Sequence, residues 1–149
     1  MTKQQRERLR VLFLCTANSC RSQMAEGWAR ELKSREIEAF SAGTRASQLN
    51  PLAVQAMAEA GVDISRQRSK TLADLGAQTF DYVVTVCGEA DEQCPVFPGR
   101  TRVVHVGFDD PPRLAQGCRD DAEAMPHYRR VRDEIRAFVA TLPAGLQAR

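Results

Sequence analysis

The 149-residue sequence predicts an α/β fold, a four-stranded parallel sheet with helices on both faces. Three observations carry that expectation. Strand-like and helix-like segments alternate along the chain, and four strands separated by helical crossovers imply parallel pairing. The residues best suited to chemistry also fall just after strands, at the carboxyl edge where such sheets bind ligands. The first strand, residues 10–15, is marked as buried by its apolar run Val11-Leu12-Phe13-Leu14. A helix runs from Ser22 to roughly residue 36, with Met24, Trp28 and Leu32 on one apolar face, so Trp28 reads as core. Residues 40–43 make a short second strand. Pro51 opens the next helix, with Ala53, Ala56, Met57 and Ala60 as its stripe and Gly61 as its end. Residues 71–76 have room for one or two helical turns, and residues 80–86 form the clearest strand. A Gly- and Pro-bearing loop from Cys87 to Gly99 leads into a strand at 102–106. Residues 107 to about 122 read as loop, and the last helix carries Val131, Ile135, Phe138 and Leu142 until Pro143 stops it.

The length suits a single domain, 1–149, able to bury a core without staples. With 43% hydrophobic and 27% charged residues the chain has ordinary globular composition. A net charge of +2, with no basic block interleaved with aromatics, argues against nucleic acid as a partner. The polar N-terminus and short apolar runs argue against a signal peptide or membrane span, so a cytosolic location is expected. Five cysteines (15, 20, 87, 94 and 118) are an odd number for a secreted disulfide framework; in a reducing compartment they point to metal binding or redox catalysis. Cys87 and Cys94 lack two further ligands at zinc spacing, and His105 and His127 have no clustered carboxylate, so no metal is expected.

Chemistry concentrates at Cys15-Thr-Ala-Asn-Ser-Cys-Arg21-Ser22. A loop between a strand and a helix can turn successive backbone N–H groups inward as an anion nest. Thr16, Ala17, Asn18, Ser19, Cys20, Arg21 and Ser22 would line it, and the helix start adds its positive dipole end. Arg21 offers a planar fork of donors that fits a tetrahedral oxyanion two oxygens at a time. Cys15, held in that field, should fall from a pKa of about 8.5 into a range of roughly 3.5 to 7.5, which makes it the candidate nucleophile. The spacing of a cysteine and an arginine alone is a weak signal; the preceding strand, the small polar loop residues and the Ser22 hydroxyl strengthen it. Displacing an oxygen from phosphorus or arsenic needs a proton donor, and Asp110, on a turn stiffened by Pro111, is the candidate general acid with Asp109 as stand-in.

To this point the residues fit a low-molecular-weight protein tyrosine phosphatase. Cys87-Gly-Glu-Ala-Asp-Glu-Gln-Cys94 argues for more, because a phosphatase releases its cysteinyl intermediate with water and has no use for two further thiols. If Cys15 carries an arsenate adduct, Cys87 can attack the Cys15 sulfur, leaving two electrons on arsenic and expelling arsenite. Cys94 can then attack Cys87, free Cys15 and carry the disulfide outward. Each disulfide needs Cα atoms within about 7 Å, so the loop from Cys87 to Gly99 is expected to change shape between redox states.

Together CTANSCRSQMAEGW, SAGT, Asn50-Pro51, VVTVCGEADEQCP, GFDDP and RVRDEI resemble the thioredoxin-coupled arsenate reductases, which share the low-molecular-weight phosphatase fold. The resemblance runs from about Arg10 to the final helix. It implies arsenate reduction for arsenic detoxification, with Cys15 as nucleophile and Arg21 and the loop amides as the arsenate site, for which phosphate or sulfate are mimics. It also implies that Ser22 bonds the thiolate, Asn18 shapes the loop, Asp110 is the general acid, and Cys87 and Cys94 form the relay. No cofactor is expected, the chain should be monomeric, and thioredoxin, with a couple of about −270 mV, would reduce the exposed disulfide.

The sequence departs from that pattern in places. Some members hold potassium through Asn, Glu, Ser and Asp; Asn18, Glu26 and Ser41 match, while Lys70 stands at the Asp position, so its ammonium is expected in the cation's place. Cys118 has no counterpart and reads as incidental. Cys20 suits either a protective disulfide with Cys15 or an apolar wall of the loop. A plain phosphatase is the nearest rival, but Pro112-Arg113 replaces the aromatic residues that would grip a phosphotyrosine ring. Weak activity on a small activated ester is still expected. A non-catalytic arsenite or oxidant sensor would need a partner surface, and no DNA-reading helix supports one.

Overall fold

In a computed structural model, residues 8–87 and 101–147 are described. Strands β1 (Leu9–Cys15), β2 (Ile37–Gly43), β3 (Tyr82–Cys87) and β4 (Arg102–Phe108) form one sheet in the order β2-β1-β3-β4, every pair parallel. Side chains alternate across it with period two. Val11 and Phe13 of β1, Ile37 and Ala39 of β2, and Val84 and Val86 of β3 face one core, while Leu12, Leu14, Ala42 and Val83 face another. Burial on both faces is why β1 and β3 read as nearly continuous apolar runs.

The larger core lies under helices α1 (Arg21–Leu32), α2 (Pro51–Glu59) and α4 (Asp121–Val139). They contribute Met24 and Trp28, Ala53 and Met57, and Val131 and Ile135. Trp28 is core as expected, and its indole N–H donates to the Arg132 carbonyl at 3.1 Å. On the opposite face Leu72 and Leu75, around the 3₁₀ turn Ala73–Leu75, pack with Phe40 and Phe80, whose rings meet edge to face at 5.3 Å. Two short helices, α3 (Pro111–Leu114) and α5 (Ala144–Gln147), complete the described chain.

Several boundaries differ from the sequence expectation. α1 stops at Leu32 and β2 starts at Ile37, because Ile37, Glu38 and Ala39 pair with Leu9, Arg10 and Val11 of β1. Ala60 is exposed rather than part of the stripe, since α2 ends at Glu59 and Gly61 takes φ 87, a left-handed turn that glycine adopts freely. The expected loop at 107–122 contains α3, with Pro111 in its first turn, and a 3₁₀ turn. α4 starts after Asp120, whose carboxylate accepts the Glu123 N–H at 3.0 Å. Leu142 is buried but lies beyond the helix end at Val139. Cys94 and the rest of the expected loop after Cys87 lie outside the described residues. Among the described residues no helix is long and apolar enough to cross a membrane.

Candidate active site

Sheet topology brings the first two cysteines together. β1 and β3 are neighbouring parallel strands, and each ends in a cysteine, Cys15 and Cys87, at the same edge of the sheet. Both are buried free thiols. The Cys87 sulfur lies 3.9 Å from the Leu14 carbonyl and 3.9 Å from Thr16 Oγ1, and its hydrogen-bonding influence on Cys15 is the strongest of those lowering the Cys15 pKa from its ordinary 9.0 to about 6. Burial opposes the shift; the Arg21 charge and the backbone N–H groups of Thr16 and Ala17 add to it. Cys15 is therefore mostly thiolate at neutral pH. Cys20 is in the opposite condition: burial pushes its thiol well above the usual range, and Asp110 and Cys15 push it further. Only one of the two loop cysteines is ready to react.

Thr16, Ala17, Asn18 and Ser19 are each held from outside the loop. Arg45 N–H donates to the Thr16 carbonyl at 3.1 Å, Ser69 Oγ to Ala17 at 2.8 Å, and Asn50 N–H to Ser19 at 2.9 Å. Asn18 is fully buried at φ 49; its Nδ2 donates to Ser22 Oγ at 2.8 Å, while its Oδ1 accepts from Lys70 N–H at 3.0 Å. Gly43, at the end of β2, must lack a side chain. A Cβ there would stand 2.6 Å from the Thr16 carbonyl and 2.8 Å from the Asn18 nitrogen. At the start of α1 no side chain caps the helix, which suits amide groups reserved for an anion.

Arg21 is buried against the far side of the site. Its Nη1 donates to the Phe108 carbonyl at 3.1 Å, and its Nε lies 3.7 Å from Asp110 Oδ1. A register shift between Thr85 and Cys87 puts Phe108 opposite Cys87, so β4 delivers Asp109 and Asp110 to the same rim. The two carboxylates then separate: Asp109 is exposed and paired with Arg130 at 2.9 Å, whereas Asp110 faces Arg21. Asp110, not its neighbour, is placed to serve the loop.

Lys70, Glu26, Ser41 and Asn18 also meet. The Lys70 ammonium donates to Ser41 Oγ at 3.2 Å and stands 3.6 Å from buried Glu26, to which Ser41 donates in turn. Burial lowers the Lys70 pKa, and Glu26 opposes that shift. Asn18 is reached by the backbone N–H of Lys70 instead of its ammonium. Cys118 is half-buried and packs against the core, and exposed His105 bonds Thr85 Oγ1 at 2.7 Å.

The structure thus gathers Cys15, Arg21, Cys87, Asp110 and the loop residues Thr16, Ala17, Asn18, Ser19, Cys20 and Ser22. Sequence reasoning missed Gln23, Ser69 and the full role of Asn50, which caps α2 through its Oδ1 and donates from Nδ2 to buried Tyr128 Oη at 3.0 Å. Burial first of all pushes the Tyr128 hydroxyl up to about 12, so it stays protonated. Gln23 carries no local signal that sets it apart from its polar neighbours Arg21 and Ser22 in the same turn, because its partners include Arg68 and Gln67, far along the chain.

A family profile described as low molecular weight phosphotyrosine protein phosphatase matches residues 10–149. The arsenate reductase of Bacillus subtilis is 50% identical over 125 residues, covering 84% of this chain and 88% of that protein. Among solved structures, an arsenate reductase in the phosphate binding state superposes with a TM-score of 0.73 at 31% identity, covering 91% of this chain and 97% of its own. A thioredoxin-dependent arsenate reductase from Corynebacterium glutamicum has a TM-score of 0.63 at 25% identity, covering 95% of this chain and 64% of its own.

Proposed function

This chain belongs to the low molecular weight phosphotyrosine protein phosphatase family, and from that premise we propose that it reduces arsenate to arsenite with thioredoxin as reductant. The observation that carries the reading is a second buried free cysteine, Cys87, beside Cys15 at the ends of adjacent parallel strands, where it helps to lower the Cys15 pKa. A hydrolase needs water at that place, whereas a reductase needs a second sulfur.

In the proposed sequence the Cys15 thiolate attacks arsenic while Asp110 protonates a departing oxygen, which leaves as water. Arg21 and the loop amides hold the remaining oxygens. Once bonded to arsenic(V), the Cys15 sulfur no longer carries the thiolate charge. Cys87 gives its proton to an arsenic-bound oxygen and attacks that sulfur. The Cys15–Cys87 disulfide forms, the sulfur–arsenic pair stays on arsenic, and arsenic(III) leaves as arsenite. Cys94 then displaces Cys15 from Cys87, and thioredoxin reduces the Cys87–Cys94 disulfide by exchange. A cytosolic setting, where free thiols persist, accords with five cysteines and this chemistry.

The test is arsenate-dependent NADPH oxidation with thioredoxin and thioredoxin reductase. Wild type should turn over, and Cys94→Ser should stop after about one equivalent of arsenite, with Cys15 trapped by Cys87. No arsenate-dependent oxidation, together with phenyl phosphate hydrolysis that survives Cys87→Ser, would identify a phosphatase instead. A slow hydrolysis of the ester beside arsenate turnover is expected, since phosphate fits the same loop.

The Lys70 ammonium is also proposed to occupy a cation's place among Glu26 and Ser41. Exchanging sodium for potassium at constant ionic strength should leave the arsenate rate unchanged. A clear rate increase in potassium would show that an ion still binds there.

A further inference from the structure

We infer that Gln23 is a positioning residue for the nucleophile: its amide locks the left-handed turn at Asn18 and thereby aims the Thr16 and Ala17 N–H groups at Cys15. The inference rests on Cys15 being the nucleophile of the proposed reaction. Asn18 at φ 49 occupies a conformation that a residue with a Cβ keeps only when its surroundings impose it. Gln23, one turn later in chain order and fully buried, supplies that constraint. Its Nε2 lies 3.0 Å from the Asn18 carbonyl, 2.9 Å from Asn18 Oδ1 and 2.8 Å from the Arg68 carbonyl. Two hydrogens serve three oxygens, so one bond is shared.

The orientation of this amide follows from its neighbours. The Asn18 and Arg68 carbonyls can only accept, and Asn18 Oδ1 already accepts from Lys70 N–H. Gln23 must therefore present its nitrogen to them. Its oxygen turns outward and accepts from Gln67 Nε2 at 2.7 Å. Asn18, held by its oxygen, is left with Nδ2 pointing at Ser22 Oγ. Ser22 accepts there and keeps its own hydrogen for another partner. A chain of side-chain amides thus runs from Gln67, on the wall of an open cleft of about 560 Å³, to the loop that holds the thiolate.

The measurement is the pH profile of Cys15 alkylation by iodoacetamide, read at that residue by mass spectrometry, with inorganic phosphate as protecting ligand. Gln23→Met, close in size and without donors, should raise the midpoint above about 6 and weaken phosphate protection about tenfold. Gln67→Met removes only the two outer bonds, from Gln67 Nε2 to the Gln23 side-chain and backbone oxygens, should fold normally, and should weaken phosphate protection by about two- to threefold. A folded Gln23→Met with both constants at wild-type values, whatever its melting temperature, overturns the inference, because it makes Gln23 a packing residue. If Gln23→Met does not fold, Gln67→Met decides: wild-type constants there overturn the inference, and a shift in either supports it. Neither readout involves arsenate turnover, so failure here is distinguishable from failure of the reductase reading.

Discussion

Cys87→Ala should abolish arsenate turnover and at the same time make Cys15 a poorer nucleophile. The first effect removes the thiol proposed to attack the Cys15 sulfur, and a fall of about 10³-fold or more in the steady-state rate is expected. The second follows from the order of influences on Cys15, where the Cys87 hydrogen bond lowers the pKa most and burial opposes it. Without that bond the midpoint should climb from about 6 toward the ordinary 9.0. The sign is testable with iodoacetamide. In wild type alkylation should rise as pH increases through about 6 and level off above it, because the thiolate is the reacting form. In Cys87→Ala the rise should come later, and a midpoint one unit above the working pH leaves only about a tenth of the thiol ionised. An unchanged alkylation profile in Cys87→Ala would show that the two sulfurs do not interact, and the relay would lose its starting geometry.

Arg21→Lys should separate binding from nucleophile activation. Lysine keeps the positive charge beside Cys15 but has no planar fork, so it cannot donate to Phe108 and grip two oxygens of a tetrahedral anion together. Buried as Arg21 is, the shorter reach of an ammonium is not made good by water. The expected result is a loss of about 10²-fold in kcat/KM for arsenate, with the Cys15 alkylation midpoint still near 6. A kcat/KM within about threefold of wild type would mean that the loop amides alone carry the oxyanion. A strongly raised midpoint would mean that the arginine acts mainly on the thiolate.

Much of this site was legible because its signals are local. Cys15 and Arg21 lie on one short loop bounded by a buried strand and a helix, and the dipole, the nest and the charge all act over that span. Asp110 was legible as the candidate acid with Asp109 as stand-in, but what separates the two was not. It depends on Arg130, far along α4, which takes Asp109 as its partner and leaves Asp110 to Arg21. Gln23 went unread for a similar reason. Two of its partners come from a segment more than forty residues away: the Arg68 carbonyl, which accepts from its Nε2, and the Gln67 side chain, which donates to its side-chain and backbone oxygens. The short helix α3 went unread because four residues carry too little periodicity to stand out from a loop.

The sequence by itself determined the fold class and the chemical type of the site. Alternating buried strands and helices leave few topologies, and a cysteine and arginine flanking a strand-to-helix loop specify a thiolate in an anion nest. Only the tertiary structure decided which groups meet. Parallel pairing of β1 with β3 sets Cys87 beside Cys15 across a gap of seventy-two residues, and the slipped register of β4 brings Asp110 to Arg21. The physical reason is that a hydrogen bond or charge acts over a few ångströms, while the separation along the chain says nothing of that distance until the sheet has paired its strands.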